Sequence, residues 1–116
     1  MVLAAAVAAC VSGQPTGASR IAVDLASVNA EGLRGPPGGL RGVHYEFCIP
    51  ADERLAAEVR AIDPTARSMR GSRGHIGCRN GQILVLGNTH QPGYRQVLER
   101  LAALPSVERI VESPFE

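Results

Sequence analysis

Between Pro64 and Leu98 the chain contains no Asp or Glu, while Arg67, Arg70, Arg73, Arg79 and Arg95 gather there with His75 and His90. All 11 acidic residues lie elsewhere. Within this stretch, Arg70-Gly-Ser-Arg-Gly-His-Ile-Gly77 interleaves guanidinium forks with glycines, and Ser72 adds a hydroxyl. Guanidinium groups take carboxylates and phosphates through paired N–H donors, and glycine lets successive backbone N–H groups converge on one anion. The segment 67–79 is therefore a candidate anion cradle, with Arg67, Arg70, Ser72, Arg73, His75 and Arg79 as its ligating groups. It lacks the Gly-Lys-Ser/Thr ending of a nucleotide phosphate loop. The competing reading is a solvated loop whose arginines aid solubility and balance acidic helices.

A second polar run, Asn88-Thr89-His90-Gln91, stands between an apolar segment and a helical one. There Asn88, Thr89 and His90 offer amide, hydroxyl and imidazole groups beside a helix N-terminus, where anions are favoured. The simpler role for Asn88 or Thr89 is to cap that helix. Thiol catalysis would need Cys48 or Cys78 near a His base; His75 is close to Cys78 in sequence and His90 is the other candidate. Neither Cys sits in a nucleophile motif. A metal site from His75, Cys78 and His90 lacks the Cys-x-x-Cys or His-x-x-x-His spacing of metal sites, and no nucleophile elbow supports Ser-His-Asp chemistry. The expectation is a chain without catalytic residues, cofactor or metal.

Cys10, Cys48 and Cys78 make an odd count, which in an exported protein leaves a thiol to explain. Residues 1–10 form an uncharged apolar stretch of signal-peptide core length ending in small residues. Val7-Ala8-Ala9-Cys10 resembles the lipobox of bacterial lipoproteins, although no Lys or Arg precedes the apolar stretch. The resemblance implies a signal peptide over 1–9, lipid on Cys10, a linker over 10–19 and a place in the cell envelope, on the periplasmic side of the outer membrane. With Cys10 lipidated, Cys48 and Cys78 remain as one expected disulfide, worth about 3 to 4 kcal/mol for a loop of about 30 residues.

Composition narrows the partners. No apolar run approaches the roughly 20 residues of a membrane-spanning helix, so membrane contact is expected through the lipid alone. A formal charge of +1 and an aromatic share of 3% give neither a polyanion-binding tail nor a stacking platform for bases, so nucleic acid is not expected. An anionic small molecule or an envelope protein is the expected partner.

These groups need a scaffold, and the pattern predicts one domain over 20–116. Ile21, Val23 and Leu25 alternate with Ala22, Asp24 and Ala26, which predicts a strand over 20–28. A Gly/Pro-rich loop follows, in which Gly32-Leu-Arg-Gly35 recurs as Gly39-Leu-Arg-Gly42. Val43, Tyr45, Phe47 and Ile49 mark a strand over 43–49 that Pro50 closes. Acids at Asp52 and Glu53 open a helix carrying Leu55, Ala56, Val59 and Ile62, and Asp63-Pro64 stops it. Asn80-Gly81 predicts a two-residue hairpin joining a short edge strand over 75–79 to a central apolar strand over 82–86. Pro92 opens a second helix with Val97, Leu98, Leu101 and Leu104 on one face, and 107–112 is the last strand.

Read from residue 43, the order strand, helix, hairpin, helix, strand resembles the split βαβ arrangement of ferredoxin-like domains. The resemblance implies an α+β sandwich: two helices on one face of a mainly antiparallel sheet, here with an extra N-terminal strand. In its strand order, 4-1-3-2, a Cys48 strand and a Cys78 strand stand about 9 to 10 Å apart, beyond disulfide reach. Either Cys78 sits off the ladder or the order differs. Two alternatives to anion binding remain: an interaction module using the tail Ser113-Pro-Phe-Glu116, which resembles ferredoxin-like propeptides and inhibitors, and a small thiol- or His-dependent enzyme.

Overall fold

The computed structural model describes residues 18–114. The expectations for a signal peptide, for lipidation of Cys10 and for most of the 10–19 linker lie outside the described residues, as do Phe115 and Glu116 of the tail. In chain order the elements are β1 (Ile21–Ala22), β2 (Leu33–Arg34), β3 (Arg41–Gly42), β4 (His44–Pro50), α1 (Glu53–Ile62), β5 (Arg67–Met69), β6 (Gln82–Asn88), α2 (Tyr94–Ala102) and β7 (Ile110–Glu112). Five strands form one sheet in the order β1-β7-β4-β6-β5, and β2 pairs with β3 in a separate ribbon. β1 runs parallel to β7, and every other neighbouring pair is antiparallel. The chain is an α+β domain with a mixed sheet. Among the described residues no helix is long and apolar enough to cross a membrane.

Alternation in β4 sends Tyr45, Phe47 and Ile49 to one face, in register with Gly87, Val85 and Ile83 of β6. The helices cover that face with Ala56 and Val59 from α1 and Tyr94, Leu98, Leu101 and Ala102 from α2, and Val107 and Ile110 complete the core. α1 starts where the Asp52 carboxylate accepts the N–H groups of Arg54 (2.8 Å) and Leu55 (3.4 Å), satisfying two donors the helix leaves open. It ends where Pro64 forces the preceding Asp63 into extended geometry. At the end of α2, the Arg20 guanidinium donates to the carbonyls of Ala102, Leu104 and Val107 at 3.1–3.3 Å, a cation placed where the helix dipole favours one.

Several boundaries differ from the sequence expectation. The strand over 20–28 shrinks to β1, because Leu25–Ser27 winds into a 3-10 turn, although Ile21 and Val23 still face inward. The two Gly-Leu-Arg-Gly copies pair with each other as β2 and β3, placing Arg34 opposite Arg41. The expected edge strand over 75–79 is not a strand. Residues 79–82 do make the tight turn, with Gln82 N–H donating to Arg79 carbonyl at 3.0 Å, but the edge strand is the polar β5, paired with β6 through Arg67–Leu86 and Met69–Leu84. Cys78 therefore lies off the ladder, free to reach Cys48 across the sheet face. The disulfide Cys48–Cys78 forms with a Cα–Cα distance of 5.6 Å.

Candidate functional site

Residues 70–81 cross the sheet face that the helices leave open. There His44, Glu46 and Cys48 of β4 alternate with the core residues, beside Leu84 and Leu86 of β6. The loop buries two of them: Glu46 is fully buried and Leu84 is 1% exposed. Close approach needs glycine at Gly74, where φ is +68° and a Cβ would stand 2.6 Å from Leu84 Cδ1 and 2.8 Å from Glu46 Oε1. Beyond it, Ile76 N–H donates to Glu46 Oε1 at 2.5 Å, while Glu46 Oε2 has no hydrogen-bond partner among the described residues. A buried polar atom left so costs about 1–3 kcal/mol. The disulfide holds the loop down against that cost, and closing a loop of this length is worth about 3.6 kcal/mol in the chain-entropy picture.

The pinned loop presents its basic groups to solvent. Arg67, Arg70, Ser72, Arg73, His75 and Arg79 are all exposed. Arg70 pairs with Glu53 at the start of α1, and Arg79 with Glu108 at 3.4 Å. All four side chains in these pairs are more than half exposed, so each pair contributes about 0–1 kcal/mol and yields readily to a better anion. Arg73 spends its Nε on Cys78 carbonyl at 3.3 Å. A shallow depression of about 240 Å³ lies between Ser72, Arg73, Cys78, Arg79, Asn80 and Gln82. With both thiols in the disulfide, neither Cys48 nor Cys78 supplies a nucleophile or a metal ligand in this form, and His75 has no thiol to act on.

Asn88, Thr89 and His90 stand apart from this loop, and their bonds do not reach it. Thr89 is fully buried: its hydroxyl donates to Gly32 carbonyl (2.7 Å) and accepts Val43 N–H (2.8 Å). Asn88 Oδ1 accepts the N–H of His90 at 2.7 Å, and the His90 side chain is exposed. Neither Asn88 nor Thr89 caps α2, which begins after Gly93 without a side-chain cap.

Sequence reasoning missed a buried polar network on the helix side. The Tyr45 hydroxyl donates to Asp63 Oδ2. Asp63 Oδ1 accepts from Thr65 N–H (2.9 Å), Thr65 Oγ1 (2.6 Å) and Gln91 Nε2 (3.0 Å). Gly87 makes room, since a Cβ there would lie 2.4 Å from the Tyr45 ring. Burial first, then the Asp63 charge, push the Tyr45 phenol well above the ordinary tyrosine range. The register that sets Tyr45 opposite Gly87 is a property of the sheet, and no local signal announces it. A second missed site is a cleft of about 260 Å³ bordered by Arg34, Arg41, His44, Glu112 and Ser113. Arg34 grips Glu112 through both nitrogens at 2.8 and 2.9 Å, and those bonds hold the Glu112 carboxyl below its ordinary range. In the tail, Ser113 N–H donates to His44 carbonyl at 2.9 Å.

Fold and site together define an α+β domain with a disulfide-stapled, arginine-bearing loop over one sheet face. No family model, curated protein or solved structure matches the chain.

Proposed function

We propose that the chain is a non-catalytic exported binding module that engages an anionic small molecule or an acidic patch of an envelope protein through loop 67–79. One observation carries this reading: the exposed Arg70, Arg73 and Arg79 ride on a loop held to the sheet by a covalent bond, beside exposed Arg67 of β5, and the ion pairs of Arg70 and Arg79 are weak. A loop already fixed in shape loses little conformational entropy on binding. Guanidinium forks at fixed spacing suit carboxylates or phosphates. The same reading makes the protein a lipoprotein tethered at Cys10, and the Cys48–Cys78 disulfide fits the oxidising compartment that export implies.

We read the scaffold as ferredoxin-like. In its support, β4, β5, β6 and β7 follow one another with α1 after the first and α2 after the third, and they lie in the spatial order β7-β4-β6-β5. β1 is then the extra N-terminal strand. The test of function titrates the protein with inorganic phosphate and with a Glu-rich peptide while amide NMR shifts are followed. Saturable shifts confined to 67–81, weakened by high salt and lost in the Arg70→Ala/Arg73→Ala double variant, are expected. Equal shifts in the double variant refute the reading.

A further inference from the structure

We propose that Cys48 is a thiol-exchange site and that the Cys48–Cys78 disulfide is a latch on the arginine loop, opened by a dithiol that attacks Cys48 Sγ. The two sulfurs are not equivalent. Both border a depression, but Cys78 is only 2% exposed beside Arg73 and Arg79, whereas Cys48 is partly exposed in a cleft of about 140 Å³ with Ile76, Gly77, Arg79, Glu108 and Arg109. Exchange begins with a thiolate reaching one sulfur, so access decides which is attacked. Arg79 and Arg109 border that approach against the single carboxylate of Glu108, and neighbouring guanidinium groups favour a thiolate over a thiol.

The step balances without a further reactant. The first thiolate of the dithiol bonds to Cys48 Sγ, the Cys48–Cys78 bond breaks, and Cys78 leaves as a thiolate that takes a proton. The second thiolate of the reagent displaces Cys48, which takes the other proton. Two electrons pass to the protein, and the reagent becomes a disulfide.

What the latch restrains is poised to lift. Between Arg73 and Gly77 the described residues make one hydrogen bond to the sheet, from Ile76 N–H to Glu46 Oε1. The remaining polar ties of the loop to its surroundings include the two exposed ion pairs of Arg70 and Arg79. Beneath the loop, Glu46 Oε2 is buried without a partner and gains water as soon as the loop rises. Reduction thus frees the segment that fixes Arg73 and Arg79 in place while α1, α2 and the β4–β6 ladder stay paired. The consequence for anion affinity rests on the proposed function; the exchange chemistry does not.

The experiment treats the folded full chain with glutathione, quenches with acid and locates the mixed disulfide by peptide mapping. Amide hydrogen exchange is then compared before and after reduction with dithiothreitol. The expected result is an adduct on Cys48 and not on Cys78, with exchange at Ile76 accelerated by about tenfold or more while Phe47 and Val85 keep their protection. An adduct on Cys78, an Ile76 amide that stays protected after reduction, or loss of protection at Phe47 and Val85 together with Ile76 overturns the proposal. The Arg79→Ala/Arg109→Ala variant should form the glutathione adduct more slowly at low salt, and an unchanged rate removes the guanidinium groups from the mechanism. Dithiothreitol carries no carboxylate or phosphate, so the hydrogen-exchange readout does not depend on anion binding: a failed phosphate titration leaves the latch standing, and a failed exchange leaves the anion reading standing.

Discussion

Replacing Tyr45 with Phe removes one oxygen from the core and should give a stability difference that depends on pH in a definite direction. The hydroxyl donates to Asp63 Oδ2, and the ring lies fully buried between the sheet and the helices. Losing a hydrogen bond to a carboxylate costs about 1.5–3 kcal/mol, which is about 10 °C in melting temperature for a domain of this size. That penalty holds only while the phenol of the unfolded chain stays neutral. Burial and Asp63 raise the folded-state value, so the stabilisation is complete below the unfolded value of about 10 and declines above it, as the unfolded state alone gives up the proton. The decline is about 1.4 kcal/mol at about pH 11 and about 2.7 kcal/mol at about pH 12. Wild type and Tyr45→Phe should therefore differ by about 2 kcal/mol near neutrality and converge between about pH 11 and 12. Urea unfolding followed by far-ultraviolet circular dichroism over that range reads both values and leaves Tyr94 as a common background. A gap that stays constant up to about pH 11 shows that Tyr45 ionises as easily folded as unfolded, and refutes the argument.

Two further substitutions separate structural polar groups from those free to bind. Thr89→Val keeps the volume but leaves Gly32 carbonyl and Val43 N–H without the hydroxyl that serves both, so a loss of about 2–4 kcal/mol in urea unfolding is expected. A loss below about 1 kcal/mol would contradict the structural role given to Thr89. Gly74→Ala forces a methyl group against Leu84 and Glu46 at a positive φ, and should cost about 1–3 kcal/mol with faster hydrogen exchange at Ile76. Unchanged exchange there would mean the loop does not rest on the sheet as described.

The elements whose residues carry their own periodicity were legible in the sequence. β4, α1, β6 and α2 appear within a few residues of their expected positions, because apolar spacing, the Asp52 cap and the prolines act locally. β5 was not legible. Arg67-Ser68-Met69 has no apolar alternation, and all three residues are exposed, so only pairing with β6 makes them a strand. The Asn80-Gly81 signal was right about the turn and wrong about what precedes it. The disulfide pulls Cys78 over the face of the sheet, and Arg79 N–H turns to the Gln82 side chain at 2.7 Å instead of to a neighbouring strand. Local chemistry named the turn and the cysteine count named the bond; the path that bond imposes on residues 75–79 lay outside any local window.

The candidate site shows the same division between what is adjacent in sequence and what meets in space. The acid-free stretch from Pro64 to Leu98 suggests one basic surface, yet folding brings Glu53 to Arg70 and Glu108 to Arg79 from outside it. Arg95, inside the stretch, donates to the carbonyls of Leu25 and Val28 and so helps fix the N-terminal segment. Arg20 and Arg34 are committed in the same way, to the end of α2 and to Glu112. An arginine shared among two or three backbone carbonyls gives up several bonds at once by leaving, whereas an exposed ion pair exchanges its carboxylate at little cost. By that criterion the twelve basic residues do not form one field. On the proposed reading, the exposed arginines of 67–79 are the ones an incoming anion meets on the stapled face, and the bond between Cys48 and Cys78 holds their spacing.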